Sequence, residues 1–146
     1  MSKPNASENF MKLAEVVSEM SIDPHTKFGC VAVSEDGMQL STGYNSPPNG
    51  VDDSLVPLTR PEKYMYLEHA ERNCIYNAAS KGIRLKGCTF YVTGVPCVEC
   101  LRAMYQVGAK IIIYKAKRAN SFDDSVFDLM DFLDPYINIR VYVKKE

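Results

Sequence analysis

Apolar residues recur along the chain at helix and strand spacings, and their order predicts an architecture. Phe10, Leu13, Ala14, Val17 and Met20 stand three or four residues apart, which predicts an amphipathic helix over 5–20, with Asn5 or Ser7 as its cap. Ser21 to Lys27 contains Pro24 and reads as a turn. Cys30 to Val33 is a short apolar strand, Glu35-Asp36-Gly37 a hairpin turn, and Gln39 to Gly43 the returning strand, paired antiparallel with the first. Residues 45–63 are rich in Pro, Asn, Asp and Gly and have no period. A loop of that length in a compact domain usually serves function, so it reads as a pocket wall or lid, against the plainer alternative of a surface insertion.

From residue 67 onward helices and strands alternate. Ala70, Cys74, Ile75, Ala78 and Ala79 predict a helix over 67–81 ended by Gly82. Thr89 to Thr93 is a strand of aromatic and β-branched residues. Pro96 stands at the start of a helix over 97–107, and Gly108 ends it. Ile111 to Tyr114 is a buried strand, Ser121 to Leu133 a helix with Asp123 and Asp124 near its positive end, and Arg140 to Val143 a last strand. Alternation of this kind implies right-handed parallel crossovers, while the opening hairpin makes the sheet mixed. The expected fold class is α/β: a three-layer α/β/α sandwich on a five-stranded mixed sheet, in a single domain spanning 1–146.

Composition narrows the function. The chain has 146 residues, enough for one domain with a real core, and its hydrophobic share of 46% is ordinary for a globular protein. A net charge of −1 announces no nucleic-acid surface. The polar first nine residues lack the apolar core of a signal peptide, and no apolar run approaches the ~20 residues that span a bilayer. A cytoplasmic protein with no membrane partner is the expectation. In a reducing compartment its five cysteines are read as ligands or small buried hydrophobes rather than bridges.

Chemistry concentrates in residues 69–100. His69, Cys97 and Cys100 are three good ligands for Zn²⁺, and three protein ligands leave one tetrahedral position open, as a catalytic site requires. Cys97 and Cys100 can converge on a first helical turn, where unpaired N–H groups and the helix dipole favour thiolates. Glu71 lies two residues from His69. Two helical residues span ~200°, so both can face one site only if His69 sits in the irregular entrance to the helix. A fourth cysteine would close the site. Cys88 falls roughly 15 Å away along the intervening strand, and Cys74 about 7.5 Å down its helix, while the spacing leaves Cys30 open. With the position open, bound water has a pKa near ~7. Zinc-bound hydroxide can then attack an amidine-like carbon such as C4 of cytosine, Glu71 carrying the proton to a ring nitrogen and then to the leaving amine. The Val95 carbonyl, set at the cleft rim by Pro96, can orient that amine.

These residues, with Asp23-Pro24-His25-Thr26-Lys27-Phe28-Gly29, Thr42-Gly43-Tyr44-Asn45, Pro48-Asn49-Gly50-Val51-Asp52-Asp53 and His69-Ala70-Glu71-Arg72-Asn73, resemble the deoxycytidylate (dCMP) deaminases of the cytidine deaminase superfamily. The resemblance covers most of residues 10–115. It implies a zinc-dependent hydrolase converting dCMP to dUMP and ammonia, with Glu71 catalytic and His69, Cys97 and Cys100 on the metal. It further implies that Asn45 contacts the sugar, that Thr26 and Lys27 line the pocket, and that Lys27 meets the 5′-phosphate. A small nucleotide partner and a homo-oligomer, a hexamer in many members, go with it. Tyr64 and Tyr66 are base-stacking candidates, and Lys115, Lys117 and Arg118 are second-choice phosphate contacts. The chain departs from the family in placing Thr93-Gly94-Val95 before Pro96, where Ser or Glu is more usual. The alternatives are a related zinc deaminase acting on another nucleoside, base or tRNA adenosine, an inactive zinc-binding interaction module, and a nucleic-acid-editing deaminase, for which the absence of Trp and of a basic stripe is unfavourable.

Overall fold

The computed structural model describes residues 6–118 and 124–144. Helix α1 (Ala6–Ser18) is followed by the hairpin β1 (Gly29–Val33) and β2 (Gln39–Tyr44). Then come α2 (Ala70–Ser80), β3 (Thr89–Val92), α3 (Val98–Gln106), β4 (Ile111–Tyr114), α4 (Ser125–Leu133) and β5 (Asn138–Val141). The sheet has five strands in the order β2-β1-β3-β4-β5. β1 pairs antiparallel with both β2 and β3, whereas β3, β4 and β5 run parallel. The expected α/β class and mixed five-stranded sheet are therefore what the chain forms. Asn5 and residues 121–123, taken as a helix cap and the first residues of a helix, lie outside the described residues.

Alternation along the strands assigns the two faces. Val31, Val33, Tyr91 and Ile113 face α1 and meet Met11 and Ala14. Cys30, Ala32, Phe90, Val92 and Ile112 face the other way, onto Ala70 and Cys74 of α2, Leu101 and Met104 of α3, and Val126 and Met130 of α4. A strand buried on both faces reads as a continuous apolar run, which is why Gly29–Val33 shows no polar position.

Several boundaries differ from the periodicity. Met20, expected on the core face of α1, lies past the end of the helix and is exposed, and Met11 takes the core position instead. Ala79 is exposed on α2. β5 begins two residues before the expected Arg140 because Asn138 pairs with Ile111; on a mostly exposed edge strand the apolar pattern is too weak to set the register. Residues 45–63 hold a 3₁₀ turn at Asp53–Leu55 and the start of a second at Glu62–Met65, and a bridge between Ser46 and Glu68 closes the segment at its base. Among the described residues no helix is long and apolar enough to cross a membrane.

Two glycines bring the helices down onto the hairpin. A Cβ on Gly29 would lie 2.0 Å from the Ala14 carbonyl oxygen, and one on Gly43 would lie 2.3 Å from the Cys74 nitrogen and 2.4 Å from the Ala70 oxygen. Polar side chains fix the second approach. Asn73 Nδ2 donates to the Tyr44 carbonyl, Asn77 Nδ2 to the Thr42 carbonyl, and Ser41 Oγ to the Cys74 carbonyl. These contacts set the height and rotation of α2 against β2, and so the placement of its first turn.

Candidate metal centre and pocket

Two helix starts meet at one point. His69 is the N-cap of α2 with φ −72° and ψ 152°, and Cys97 is the N-cap of α3 with φ −77° and ψ 168°. Both residues are extended, so His69 is not on the helical wheel. That resolves the ~200° separation a regular helix would impose between His69 and Glu71. His69 Nδ1 lies 3.4 Å from Cys97 Sγ and 3.4 Å from Cys100 Sγ, and the three donor atoms lie within 4.8 Å of one another. Zn–N and Zn–S bonds of about 2.0 and 2.3 Å at a tetrahedral angle put N and S about 3.5 Å apart, so the donor set fits zinc.

The three donors perturb one another's protonation. Hydrogen bonding from Cys100 lowers the Cys97 thiol to about 3; burial opposes this, and His69 adds to it. Cys100 is raised in turn, first by its bond to Cys97 and then by burial. His69 is raised by its bond to Cys97, with burial opposing. Arg72 Nε donates to Glu68 Oε1 at 2.7 Å, and its Nη1 reaches Glu99 Oε2 at 3.3 Å, so this side chain ties the start of α2 to the start of α3. Burial works against the Arg72 charge, but Cys100, Glu68 and Cys97 outweigh it.

Glu71 is buried beside the donors, and burial raises its carboxyl above the usual range. It lines a cavity of about 300 Å³ together with His69, Cys97, Thr26, Phe28, Asn45, Lys63 and Val95. That volume is at the lower end of small-molecule sites.

The other expected residues are placed unequally. Thr26 and Asn45 line the cavity. The Asn45 amide is engaged with the backbone: its Oδ1 accepts from the Phe28 N–H at 2.8 Å, and its Nδ2 donates to the Thr26 carbonyl at 2.9 Å. It thereby shapes the wall that Thr26 and Phe28 form. Lys27 is not in the lining, and its Nζ donates to the Ser21 carbonyl at 2.8 Å. Tyr64 lines the cavity and Tyr66 does not. Lys115 pairs with Glu15, Lys117 donates to the Lys27 carbonyl and lies over the Phe28 ring, and Arg118 pairs with Asp124. The spare cysteines Cys30, Cys74 and Cys88 are fully buried in the core, and the donor group contains none of them.

Sequence reasoning missed Lys63 and Phe28. Lys63 is buried against Asp23, with Nζ 2.9 Å from Oδ2, and both residues line the cavity. A lysine in a polar, aperiodic stretch gives no sign of burial; its only signal is the distant Asp23-Pro24 turn. Phe28, which the sequence marks only as one residue of the family-like segment from Asp23 to Gly29, lines the cavity, and a side chain on Gly94 would collide with its ring.

Comparison with known proteins agrees with this geometry. A family model described as the cytidine and deoxycytidylate deaminase zinc-binding region matches residues 4–116. The chain is 31% identical to the deoxycytidylate deaminase of Homo sapiens over 144 residues, covering 94% of this chain and 80% of that protein. It is 38% identical over 115 residues to a probable deoxycytidylate deaminase of Caenorhabditis elegans, covering 76% of this chain and 57% of that one. The solved dCMP deaminase from the cyanophage S-TIM5, in complex with dCMP and dUMP, superposes with a TM-score of 0.76 at 25% identity, covering 97% of this chain and 100% of that chain.

Proposed function

The chain belongs to the cytidine and deoxycytidylate deaminase family, a zinc-binding family, and on that premise we propose that it hydrolyses dCMP to dUMP and ammonia. The observation that carries this reading is one juxtaposition. Three donors with zinc spacing and a buried carboxylate open into the same cavity, whose volume suits a small molecule.

His69, Cys97 and Cys100 hold the metal in this reading, and Glu71 is the catalytic residue. Bound Zn²⁺ supplies Lewis acidity that lowers the pKa of water to about 7. Glu71 takes a proton from the attacking water as its oxygen adds to C4, and gives that proton to ring nitrogen N3. It then passes the second proton to the departing amine, so ammonia leaves and C4 becomes a carbonyl carbon. A carboxyl raised by burial can hold such a proton between the two steps. Thr26, Phe28 and Asn45 form the wall beside the substrate, the Asn45 amide fixing the backbone of the other two. Lys27 acts on this wall through Ser21 and not on the phosphate.

A homo-oligomer working in the cytoplasm completes the proposal. Leu55 and Met65, which are 79% and 85% exposed on the segment that forms the pocket wall, give apolar surface for a second copy to cover.

Absorbance assays with dCMP, deoxycytidine, cytidine and guanine test the reading. Turnover of dCMP above the others is the expected result. Turnover of a nucleoside or free base with dCMP untouched would overturn it.

A further inference from the structure

We infer that Phe28 limits the size of the base the cavity admits, and that the bare backbone at Gly94 is what gives its ring room to do so. The inference rests on the deaminase reading above and extends it to which cytosine nucleotides fit: those with little bulk at C5.

Phe28 is half-buried, packs against the core and lines the cavity. One residue fixes both of its backbone polar groups: its N–H donates to Asn45 Oδ1 at 2.8 Å, and its carbonyl accepts from the Asn45 N–H at 3.4 Å. The ring is confined as well. A Cβ on Gly94 would fall on ring carbons Cε1 and Cδ1, so this edge of the ring rests against bare backbone. Lys117 Nζ lies over the ring, 4.9 Å from its centre, where a cation is attracted to the π-face. The Lys27 carbonyl holds that ammonium at 3.0 Å. Gly94 lines the cavity and Lys117 does not, so the ammonium covers the ring from the side turned away from the cavity. The Val95 N–H donates to the Lys117 carbonyl at 2.8 Å and ties the Gly94 segment to the same strand end. Room to move is left only on the cavity side, and a close-packed wall that cannot retreat excludes by size.

The wall stands close to the reacting edge of the base. Gly94 is three residues before Cys97, a span of at most ~11 Å. The ring that rests on Gly94 is therefore on the side of the cavity from which this metal donor comes, and C4 must lie toward the metal to be attacked. C5 is bonded to C4, so a group on C5 is the one that meets the ring. Tyr64, the other phenyl ring in the lining, is 47% exposed and free to swing toward solvent, so it sets no such limit.

The test compares kcat/KM for dCMP, 5-methyl-dCMP and 5-iodo-dCMP in the zinc-loaded full chain and in Phe28→Val, Gly94→Ala and the double variant. In the wild type, activity falls as the C5 group grows. In Phe28→Val the ratio of 5-methyl-dCMP to dCMP activity rises about 10-fold or more, the size of a one-carbon difference in a packed pocket. Gly94→Ala drives the ring into the cavity and lowers kcat/KM for dCMP by a similar factor, mainly through KM. The double variant recovers most of that loss, because valine leaves the new Cβ its room. A ratio unmoved in Phe28→Val overturns the assignment, and so does an equal loss on all three substrates, which would make Phe28 a support for the fold alone. A double variant no better than Gly94→Ala overturns the pairing, since the new Cβ would then act on the Lys117 carbonyl, 2.9 Å away, and not on the ring. Where Gly94→Ala does not fold, the ratio in Phe28→Val decides by itself. A wild-type enzyme that leaves dCMP untouched overturns the deaminase reading itself, and that result is separable because it appears before any substitution is made.

Discussion

Lys63 and Asp23 are forty residues apart in sequence, yet Lys63 Nζ lies 2.9 Å from Asp23 Oδ2 with side-chain exposures of 3% and 5%. The pair joins the segment after β2 to the turn before β1, and so holds the pocket wall onto the sheet. Replacing Lys63 with Met leaves the Asp23 carboxylate buried without its counter-charge. That loss is expected to cost about 3–5 kcal/mol of stability, as for other buried pairs broken on one side. Denaturant unfolding measures it. A cost below about 1 kcal/mol, the range of exposed pairs, would show that water reaches the carboxylate and that the wall does not depend on the pair.

The same pair gives a pH dependence of definite sign. Burial pushes the Asp23 carboxyl up, but hydrogen bonds from Lys63 and from the His25 and Thr26 backbone outweigh it and leave it below the usual value. A group with a depressed folded pKa stabilises the fold above its unfolded pKa, about 3.9, and loses that contribution as pH falls through the lower folded value. Melting temperatures of the wild type and Asp23→Asn should differ by a constant amount between pH 8 and pH 5, and converge below about pH 4. A gap that widened between pH 6 and pH 9 would assign the effect to some other group.

Gly43 is a second place where the fold has no slack. A Cβ there meets backbone atoms of α2, the Cys74 nitrogen at 2.3 Å and the Ala70 oxygen at 2.4 Å, and backbone cannot turn aside as a side chain can. Gly43→Ala must push α2 away from β2. Overpacking of this kind costs about 1–3 kcal/mol. Since His69 caps the same helix, zinc affinity should fall as well as melting temperature. Competition with a chromophoric chelator would show it, and unchanged affinity would mean that the start of α2 is positioned independently of its packing on β2.

These sites also mark what the sequence could reveal. The five strands were legible because four of them are apolar runs or hairpin arms closed by turn residues. The metal donors were legible because their spacing is local on each side: Cys97 to Cys100 within one turn, and His69 to Glu71 across one helix start. Lys63 was not, because its partner lies in another segment and only the folded wall brings Asp23 to it. Asn45 was expected against the substrate from a resemblance, while the geometry puts its amide on two backbone groups. Side-chain type shows that hydrogen bonds will be made; the partner is decided by packing.

Glu71→Gln separates metal binding from proton transfer. Glu71 lies outside the three-donor group, and its carboxyl is buried in the cavity wall. The amide keeps its shape but cannot accept a proton. The variant should bind one zinc per chain as tightly as the wild type while kcat falls by about 10²–10⁴, the contribution of a general acid–base group. Single-turnover kinetics with metal analysis decides it. Equal turnover in both proteins would remove Glu71 from the mechanism, and loss of zinc would make it a ligand.

Zinc itself should stabilise the fold, because its donors come from two helix starts that the unfolded chain does not hold together. A ligand bound only by the native state adds stability that grows with its concentration over Kd. Chelation should therefore lower the melting temperature by several degrees, and added Zn²⁺ should restore it. Cysteine substitutions sort the donors. Cys97→Ser and Cys100→Ser should each abolish tight binding and the response to chelator, since a hydroxyl is a poor replacement for thiolate. Cys30→Ala, in the core beside Cys74, should destabilise the protein yet keep one zinc and the full thermal response. Loss of zinc in Cys30→Ala would place a fourth thiol on the metal, and a closed four-ligand site could not act as the deaminase centre described above.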